Sequence, residues 1–190
     1  MKLIIASNNQ HKIREIKKIL GEKFDPILSL REAGIDHETI EDGTTFLENS
    51  GKKAREIAEI SGCAALADDS GISAHTLGGA PGVYSARFAG EHGNDEANNK
   101  LLLEKLSCEE DKSAHYTAAI TLAYPDGREV CAEGYLYGNI IDTPRGSGGF
   151  GYDPLFVPDG ETRTVAEMTD EEKNRISHRA RALMALLEKL

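Results

Sequence analysis

Two adjacent carboxylates, Asp68 and Asp69, are the residues of this 190-residue sequence best placed to do chemistry. They follow a short apolar run at residues 64–67, which is typical of the end of a buried strand, and they precede Ser70 and Gly71. Acidic side chains at a strand end beside a glycine-rich loop are a common place for a hard cation and a phosphate to meet. A turn with a helix cap explains the same four residues equally well, so both interpretations stay open. Because neighbouring side chains on a strand point to opposite faces, the two carboxylates could have different roles.

A polar turn after the first apolar segment is a second candidate site, in this case for an anion. Residues 2–6 predict a central strand, and residues 11–20 predict a helix with one apolar face. The helix start presents free N–H groups and the positive end of its dipole, which favours a phosphate cradle. An N-cap followed by a solvated lysine remains the open alternative. The candidate residues of this turn are Ser7, Asn8, Asn9, Gln10, His11 and Lys12.

Charged side chains on the next elements could complete such a site. Residues 45–60 predict a helix that starts with a capping-box pair, and Lys53 lies one turn beyond Asn49 on the same face. Gly51 inside this helix suggests that another backbone packs closely against it. Glu41 ends an acidic connector. Glu41 and Lys53 would each ordinarily be solvated surface charges.

A glycine-rich segment with aromatic side chains, residues 146–154, is a third unusual feature. Its glycines are costly to order, and a flexible linker would avoid large apolar residues such as Phe150 and Tyr152. An aromatic side chain on a mobile glycine loop can stack on a planar ligand such as a base.

His178 and Arg179 follow Ser177, which is expected to cap the final helix. The helix dipole disfavours cations at this end, so the pair is a weak sign of a nearby anion or acceptor.

The remaining segments predict a mixed sheet in an α/β fold. Residues 114–124 and 129–141 predict two long antiparallel strands around the turn at residues 125–128. Residues 24–28 are consistent with a further strand, and residues 94–106 predict a helix. A hairpin beside the early strand–helix units makes the sheet mixed.

Composition and charge disfavour several functions. The chain is 39% hydrophobic and carries a net charge of -10, and a surface that follows a nucleic acid polymer needs basic charge. No apolar run approaches the ~20 residues of a membrane span, and the apolar start is too short for a signal peptide. The cysteines are Cys63, Cys108 and Cys131. They are far apart in sequence and indicate neither disulfides nor a zinc site, so we predict a cytoplasmic protein. From the charge and the lack of a membrane span, we predict no nucleic acid polymer and no membrane as partners.

Several long motifs, in the same order, make the sequence similar to the inosine triphosphate pyrophosphatase family over essentially its whole length. The N-terminal pattern of that family is present as Ser7, Asn9, Lys12 and Glu15, with serine where the family often has threonine. The other motifs are ADDSG at residues 67–71, LGGAPGVYSARF at 77–88, GGFGYDPLF at 148–156, and EEK followed by SHR within 171–179.

This resemblance implies an elongated mixed β-sheet flanked by helices, with two lobes and a central cleft. It implies a single domain over residues 1–190 that forms a homodimer. The implied activity is Mg²⁺-dependent hydrolysis of ITP, dITP and XTP to the nucleoside monophosphate and pyrophosphate, which cleanses the nucleotide pool.

The resemblance also implies a role for each candidate residue. Residues 7–12 would hold the triphosphate, and Glu41 and Asp69 would bind the metal. Asp69 would also be the base that prepares water, with Asp68 beside it. Lys53 and Lys173 would neutralise phosphate charge. The remaining substrate-binding residues would be Ser70, Phe150, Gly151, Tyr152, Asp153, His178 and Arg179.

Hydrogen-bond donors at His178 and Arg179 would favour purines with an oxygen at position six and reject adenine, which has an amino group there. Two other functions stay open. One is a nucleotide sensor that does not hydrolyse its ligand, and the other is a related pyrophosphatase for modified pyrimidine or standard nucleotides.

Overall fold

A six-stranded mixed sheet organises the chain in a computed structural model that describes residues 1–190. The order of its strands is β2-β1-β3-β4-β5-β6. β1 is parallel to β2 and β3, whereas β6 is antiparallel to β5, as expected of a mixed sheet. The strands are β1 (Leu3–Ile5), β2 (Ile27–Ser29), β3 (Ala64–Ala74), β4 (Ser113–Ala123), β5 (Glu129–Ile140) and β6 (Phe156–Pro158).

Five α-helices flank this sheet, and local caps define where several of them start. Asn9, Thr45 and Thr169 cap the first, second and fourth helices through their side chains. No helix is long and apolar enough to span a membrane. The helices are α1 (Gln10–Leu20), α2 (Phe46–Ser61), α3 (Asp95–Leu106), α4 (Asp170–Ile176) and α5 (His178–Leu187).

The chain divides into two compact units, and β3, β4 and β5 contribute residues to both. Unit 1 comprises residues 1–69, 118–134 and 179–190. Unit 2 comprises residues 70–117 and 135–178. A single domain with two lobes and a central cleft stays a prediction.

Unit 1 has an apolar core on each face of its strands. Because strand side chains alternate, Leu3 and Leu66 pack on one face with buried residues of α1 and α5. Ile4 and Ala67 pack on the other face with buried residues of α2. The position of a residue in β3 therefore decides which helix its side chain meets.

Unit 2 has its own apolar core, built from β3, α3, β4, β5 and the segment around β6. The ring of Tyr116 meets Phe156 edge to face, with the centroids 4.9 Å apart. This core supports the glycine-rich segment, since Tyr152 and the residue just after the segment, Leu155, are buried in it.

β3 continues to Ala74, so the interpretation of Asp68 and Asp69 as a turn with a helix cap is wrong. The strand accommodates both acids because each has charged or amide partners within unit 1. Gly71 allows a close contact, because a Cβ there would lie 2.3 Å from Ser85 Oγ.

Two local expectations also fail. β2 starts at Ile27, because Phe24 lies just after the turn that follows α1, where its N–H donates to the carbonyl of Leu20 at 3.2 Å. A Cβ on Gly51 would meet the guanidinium of Arg55 at 3.0 Å rather than another backbone.

Candidate active site

Asp68 and Asp69 lie on opposite faces of β3 and just past the carboxyl end of β1. The last register pair of β1 with β3 joins Ile5 to Leu66, so the two acids extend beyond it. Asp68 shares the face of Leu66, towards α1 and α5, whereas Asp69 shares the face of Ala67, towards α2. Two neighbouring acids therefore have separate environments.

Asp68 is a buried anion that contacts two cations. Its Oδ2 lies 2.7 Å from Lys12 Nζ and 3.2 Å from Arg179 Nη2. Arg179 is only 1% exposed and also forms an ion pair with Glu15 of α1. Burial by itself would raise the pKa of Asp68, but the charges of Arg179 and Lys12 outweigh it and hold that pKa well below its usual range. Asp68 therefore stays ionised and fixes Lys12 and Arg179 in place.

Asp69 has the opposite electrostatic behaviour. Its Oδ2 accepts a hydrogen bond from Asn49 Nδ2 at 3.1 Å, and its Oδ1 lies 3.4 Å from Lys53 Nζ. Burial is the main cause that raises the pKa of Asp69, and the Glu41 charge adds to it against the charges of lysines such as Lys53. A carboxylate with a raised pKa accepts a proton more readily than an ordinary aspartate does.

Lys53 connects the acidic side chains on the α2 face. Its Nζ lies 2.6 Å from Glu41 Oε1 and donates to the backbone carbonyl of Asp68 at 3.1 Å. Burial favours the neutral amine, but the charges of Asp69 and Glu41 outweigh it and raise the pKa of Lys53. The ammonium thus stays charged between two carboxylates.

The two carboxylates that the resemblance assigns to a metal lie close together. Glu41 and Asp69 both contact the ammonium of Lys53, so their oxygens converge on one position. No group of three or more His, Cys, Asp or Glu side chains forms a complete site. Two carboxylates suit Mg²⁺, which keeps several waters and takes its other ligands from substrate phosphates.

The turn at residues 7–12 contains both an N-cap and a half-buried lysine that pairs with the buried Asp68. Asn9 Oδ1 accepts hydrogen bonds from the backbone N–H groups of His11 at 2.9 Å and Lys12 at 3.2 Å, so the N-cap interpretation is correct for Asn9. Ser7 Oγ accepts from the N–H of Asn9 at 3.1 Å. Lys12 is not solvated, because its side chain is 15% exposed and pairs with Asp68. The exposed residues of the turn are Asn8, Asn9, Gln10 and His11.

In unit 2, the buried carboxylate of Asp153 joins residues from three segments. Its Oδ1 accepts from the Tyr116 hydroxyl at 3.2 Å, and its Oδ2 accepts from Lys173 Nζ at 2.9 Å and Phe150 N at 3.0 Å. Lys173 Nζ also lies 4.7 Å from the centroid of the Phe150 ring. The ring of His178 stacks on Tyr116 at 4.6 Å. Lys173 therefore lies among the residues predicted to hold the base, although the resemblance assigned it to phosphate.

The glycine-rich segment is tied to its surroundings, contrary to the expectation of a mobile loop. The N–H of Gly151 donates to Asp95 Oδ2 at 2.7 Å, and its carbonyl accepts from Asn99 Nδ2 at 3.0 Å. Tyr152 is buried, and its hydroxyl donates to the carbonyl of Ser85 at 2.7 Å. Burial, with the charge of Asp95, raises the pKa of Tyr152 well above its usual range. Tyr152 is thus an anchor of this segment, and its predicted contact with a base stays a prediction.

Sequence reasoning missed several residues that hold the predicted ones in place. For Asn49, the sequence predicts only that it shares a helix face with Lys53, and Asp95 and Asn99 are also four residues apart. No local pattern marks Tyr116 as the partner of Asp153. Ser70 is half-buried within β3, and its contact with a substrate stays a prediction.

In this mixed α/β sheet, carboxylates, lysines and the start of a helix lie together past the end of a parallel strand. This arrangement is typical of a class of proteins that bind phosphate-bearing ligands at that end of the strands. Within that class, the chain belongs to the Ham1 family, whose profile matches residues 3–189.

Individual relatives agree with this assignment over nearly their whole length. The chain is 50% identical, over an alignment of 197 residues, to the dITP/XTP pyrophosphatase of Clostridium perfringens, and the match covers 100% of this chain and 97% of the relative. It is 45% identical to the dITP/XTP pyrophosphatase of Streptomyces coelicolor, covering 98% of this chain and 95% of that protein. The family resemblance found in the sequence is therefore confirmed.

Solved structures support the fold in the same way. The Staphylococcus aureus Ham1 protein matches with a TM-score of 0.88 at 38% identity, covering 100% of this chain and 99% of that one. A HAM1 protein from Coxiella burnetii matches with a TM-score of 0.90 at 36% identity, covering 100% of both chains. The predicted mixed sheet with flanking helices is confirmed.

Proposed function

We propose that this protein hydrolyses ITP, dITP and XTP to the nucleoside monophosphate and pyrophosphate, and so removes them from the nucleotide pool. Relatives that are 50% and 45% identical are named dITP/XTP pyrophosphatases, which supports this substrate class. One observation about the site carries the proposal. The buried carboxylate of Asp69, with its raised pKa, lies beside the ammonium of Lys53 and is oriented by Asn49.

In the proposed reaction, the oxygen of a water molecule bonds to the α-phosphorus while the bond from that phosphorus to its bridging oxygen breaks, and pyrophosphate leaves. Asp69 accepts the proton of the water as general base. Lys53 provides positive charge for the phosphate oxygens, on which negative charge builds up. Asn49 keeps the Asp69 carboxylate in one orientation.

We propose Mg²⁺ as the cofactor, with Glu41 and Asp69 as the residues that would hold it. Their oxygens suit a hard cation, and a partial site of two carboxylates fits an ion that shares the substrate phosphates. A bound Mg²⁺ supplies positive charge to the phosphate oxygens.

Residues 7–12 are proposed to bind the triphosphate, and Ser70 to contact the substrate. The pair of Lys12 with Asp68 supports this assignment, because it fixes a lysine ammonium near the start of α1. Helix N-termini favour phosphate groups through their dipole and N–H groups.

The base is proposed to bind at the glycine-rich segment, with Phe150, Gly151, Tyr152 and Asp153 as the nearest residues. His178 can donate a hydrogen bond to an oxygen at position six of the purine. Lys173, which lies against the Phe150 ring, is a second donor, and we assign it to the base rather than to the phosphates. Arg179 is proposed for the base on the family resemblance alone.

A panel of nucleotides with Mg²⁺, assayed for released pyrophosphate, tests the proposed function. We expect kcat/KM for ITP, dITP and XTP to exceed that for ATP by at least about 100-fold. Adenine has an amino group at position six, so it would offer no acceptor to the hydrogen-bond donors of the proposed base pocket. Binding of ITP without release of pyrophosphate would instead indicate a sensor. A preference for dTTP or ATP would indicate a pyrophosphatase of another specificity.

We also infer a homodimer, from the resemblance, and a cytoplasmic location. The three cysteines are free in the structure, which is in keeping with a reducing compartment.

A further inference from the structure

One helix holds the peptide groups on both sides of Gly151. Asp95 Oδ2 accepts from the Gly151 N–H at 2.7 Å, and Asn99 Nδ2 donates to the Gly151 carbonyl at 3.0 Å. Asp95 and Asn99 are four residues apart in α3, so they lie one above the other on the same helix face. A donor and an acceptor from consecutive turns therefore clamp a single residue.

This clamp acts at a glycine, the residue type whose backbone is least restricted by its own side chain. Gly151 has φ +63°, and a glycine can leave this conformation at little energetic cost because it has no Cβ. The Gly151 N–H belongs to one peptide plane and its carbonyl to the next. Fixing both planes restricts both φ and ψ of Gly151. The glycine does not restrict these angles itself, because it has no Cβ.

Phe150 takes its orientation from this fixed backbone. Its own N–H donates to Asp153 Oδ2 at 3.0 Å, and its ring lies 4.7 Å from Lys173 Nζ. With Gly151 held by α3, the backbone that carries the Phe150 ring keeps its place beside the Lys173 ammonium. An aromatic face and a donor held in this way lose less entropy when a planar ligand binds.

We infer that Asp95 and Asn99 are positioning residues that preorganise the Phe150–Asp153 segment for the purine base. This inference rests on the proposed function, because it assumes that the segment binds the base. Neither residue contacts the reacting atoms. Loss of either contact should weaken substrate binding and leave the chemical step nearly unchanged.

A purely structural role for Asp95 must be separated from this one. Asp95 lies in the first turn of α3, where any acidic residue favours the helix dipole. Glu96 occupies the same turn, is exposed and makes no hydrogen bond or ion pair with the glycine-rich segment, so Glu96→Ala is the matched control. Asp95→Asn is the conservative variant, because its amide oxygen can still accept from the Gly151 N–H.

Two measurements on the full chain test the inference. The first is amide hydrogen exchange of residues 148–152 without substrate. We expect exchange to be faster by about fivefold or more in Asp95→Ala and Asn99→Ala, and to be unchanged in Glu96→Ala. The second is steady-state hydrolysis of ITP. There we expect KM to rise about three- to tenfold, the effect of one lost hydrogen bond, with kcat changed less than about twofold. Asp95→Asn should restore most of the affinity.

Each other outcome has a distinct meaning. Unchanged exchange in Asp95→Ala would show that the clamp does not order the segment, and faster exchange with an unchanged KM would show that this order does not serve the base. A fall in kcat alone, or an equal effect in Glu96→Ala, would also overturn the inference. If the wild-type protein released no pyrophosphate from any purine triphosphate, the proposed function would fail, while the exchange measurement would still decide whether the clamp exists.

Discussion

Asp68 and Asp69 differ in electrostatic behaviour although they are neighbours in the chain. The charges of Arg179 and Lys12 lower the pKa of Asp68, whereas burial raises that of Asp69. Only the alternation of side chains along β3 separates the two environments. A buried, charge-compensated acid is a structural anchor, and an acid with a raised pKa is a candidate base.

Asp69→Asn should abolish most of the turnover without unfolding the protein. The asparagine cannot accept a proton from water, and we expect kcat to fall by about 10²- to 10⁴-fold. Its side-chain oxygen can still accept the hydrogen bond from Asn49, so the midpoint of thermal unfolding should change little. Steady-state pyrophosphate release and thermal unfolding measure the two effects. A variant with near-normal turnover would remove Asp69 from the role of base.

Asp68→Asn should instead destabilise the fold. It leaves the buried guanidinium of Arg179 and the ammonium of Lys12 without their shared anion. Removal of one partner of a buried ion pair typically costs about 3–5 kcal/mol. Urea unfolding at neutral pH measures the free energy of unfolding, with Asp69→Asn as the matched control one residue away. Equal stability of the two variants would contradict the assigned difference between the acids.

At the scale of elements, the helices were predictable because their signals are local. Periodic apolar residues and capping residues such as Thr45 and Thr169 lie within a few positions of each helix start. The extent of β3 was not predictable in this way. Its polar residues can stay in a buried strand only because Lys12 and Arg179, which are distant in sequence, compensate Asp68.

The candidate site was predictable only in part, for the same reason. The family motifs identified the acids and lysines, but the contact of Asn49 with Asp69 and that of Asp95 with Gly151 depend on the packing of helices against strands. The assignment of Lys173 changed because its position near Phe150 and Asp153 is a tertiary fact.

We expect a turn after β2 to make the stability of the protein depend on pH. Glu32 Oε2 accepts from the N–H of Ser29 at 2.7 Å and lies 2.7 Å from Lys17 Nζ. The hydrogen bond from Lys17, followed by those from Ser29, lowers the pKa of Glu32 from 4.5 to about 2. A lowered pKa in the folded state gives stability that is complete above the unfolded value and is lost as the pH falls towards the folded value.

Glu32→Gln should therefore be less stable than the wild-type protein at neutral pH, and the difference should shrink as the pH falls below 4.5 towards about 2. Urea unfolding of both proteins at about pH 7, 5, 4 and 3 measures it. A difference that is constant with pH would mean that the Glu32 charge does not contribute.

At the scale of the whole molecule, the positive groups of the site lie in a protein with a net charge of -10. Lys12, Lys53 and Arg179 are each held by carboxylates, so the chain keeps them in place without ligand. A protein with this field should bind small anions only where such cations are gathered.

The homodimer is the prediction at this scale that a single measurement can check. Size-exclusion chromatography with light scattering should give a mass of twice 20.6 kDa. Dilution should not change this mass over the micromolar range if the interface has the size typical of a stable dimer. A mass of 20.6 kDa at all concentrations would contradict the prediction.

The two faces of β3 also limit how this chain can change in length. Leu66 is the last residue of β3 that pairs with β1. One residue inserted between Leu66 and Asp68 would move every following side chain of the strand to the opposite face. Asp68 would then face α2, and Asp69 would face α1 and α5. The carboxylate oriented by Asn49 would then meet cations that suppress its basicity. Lineages that lengthen or shorten this protein should accordingly place their gaps in connectors such as residues 107–112 and leave the spacing from Leu66 to Asp69 untouched.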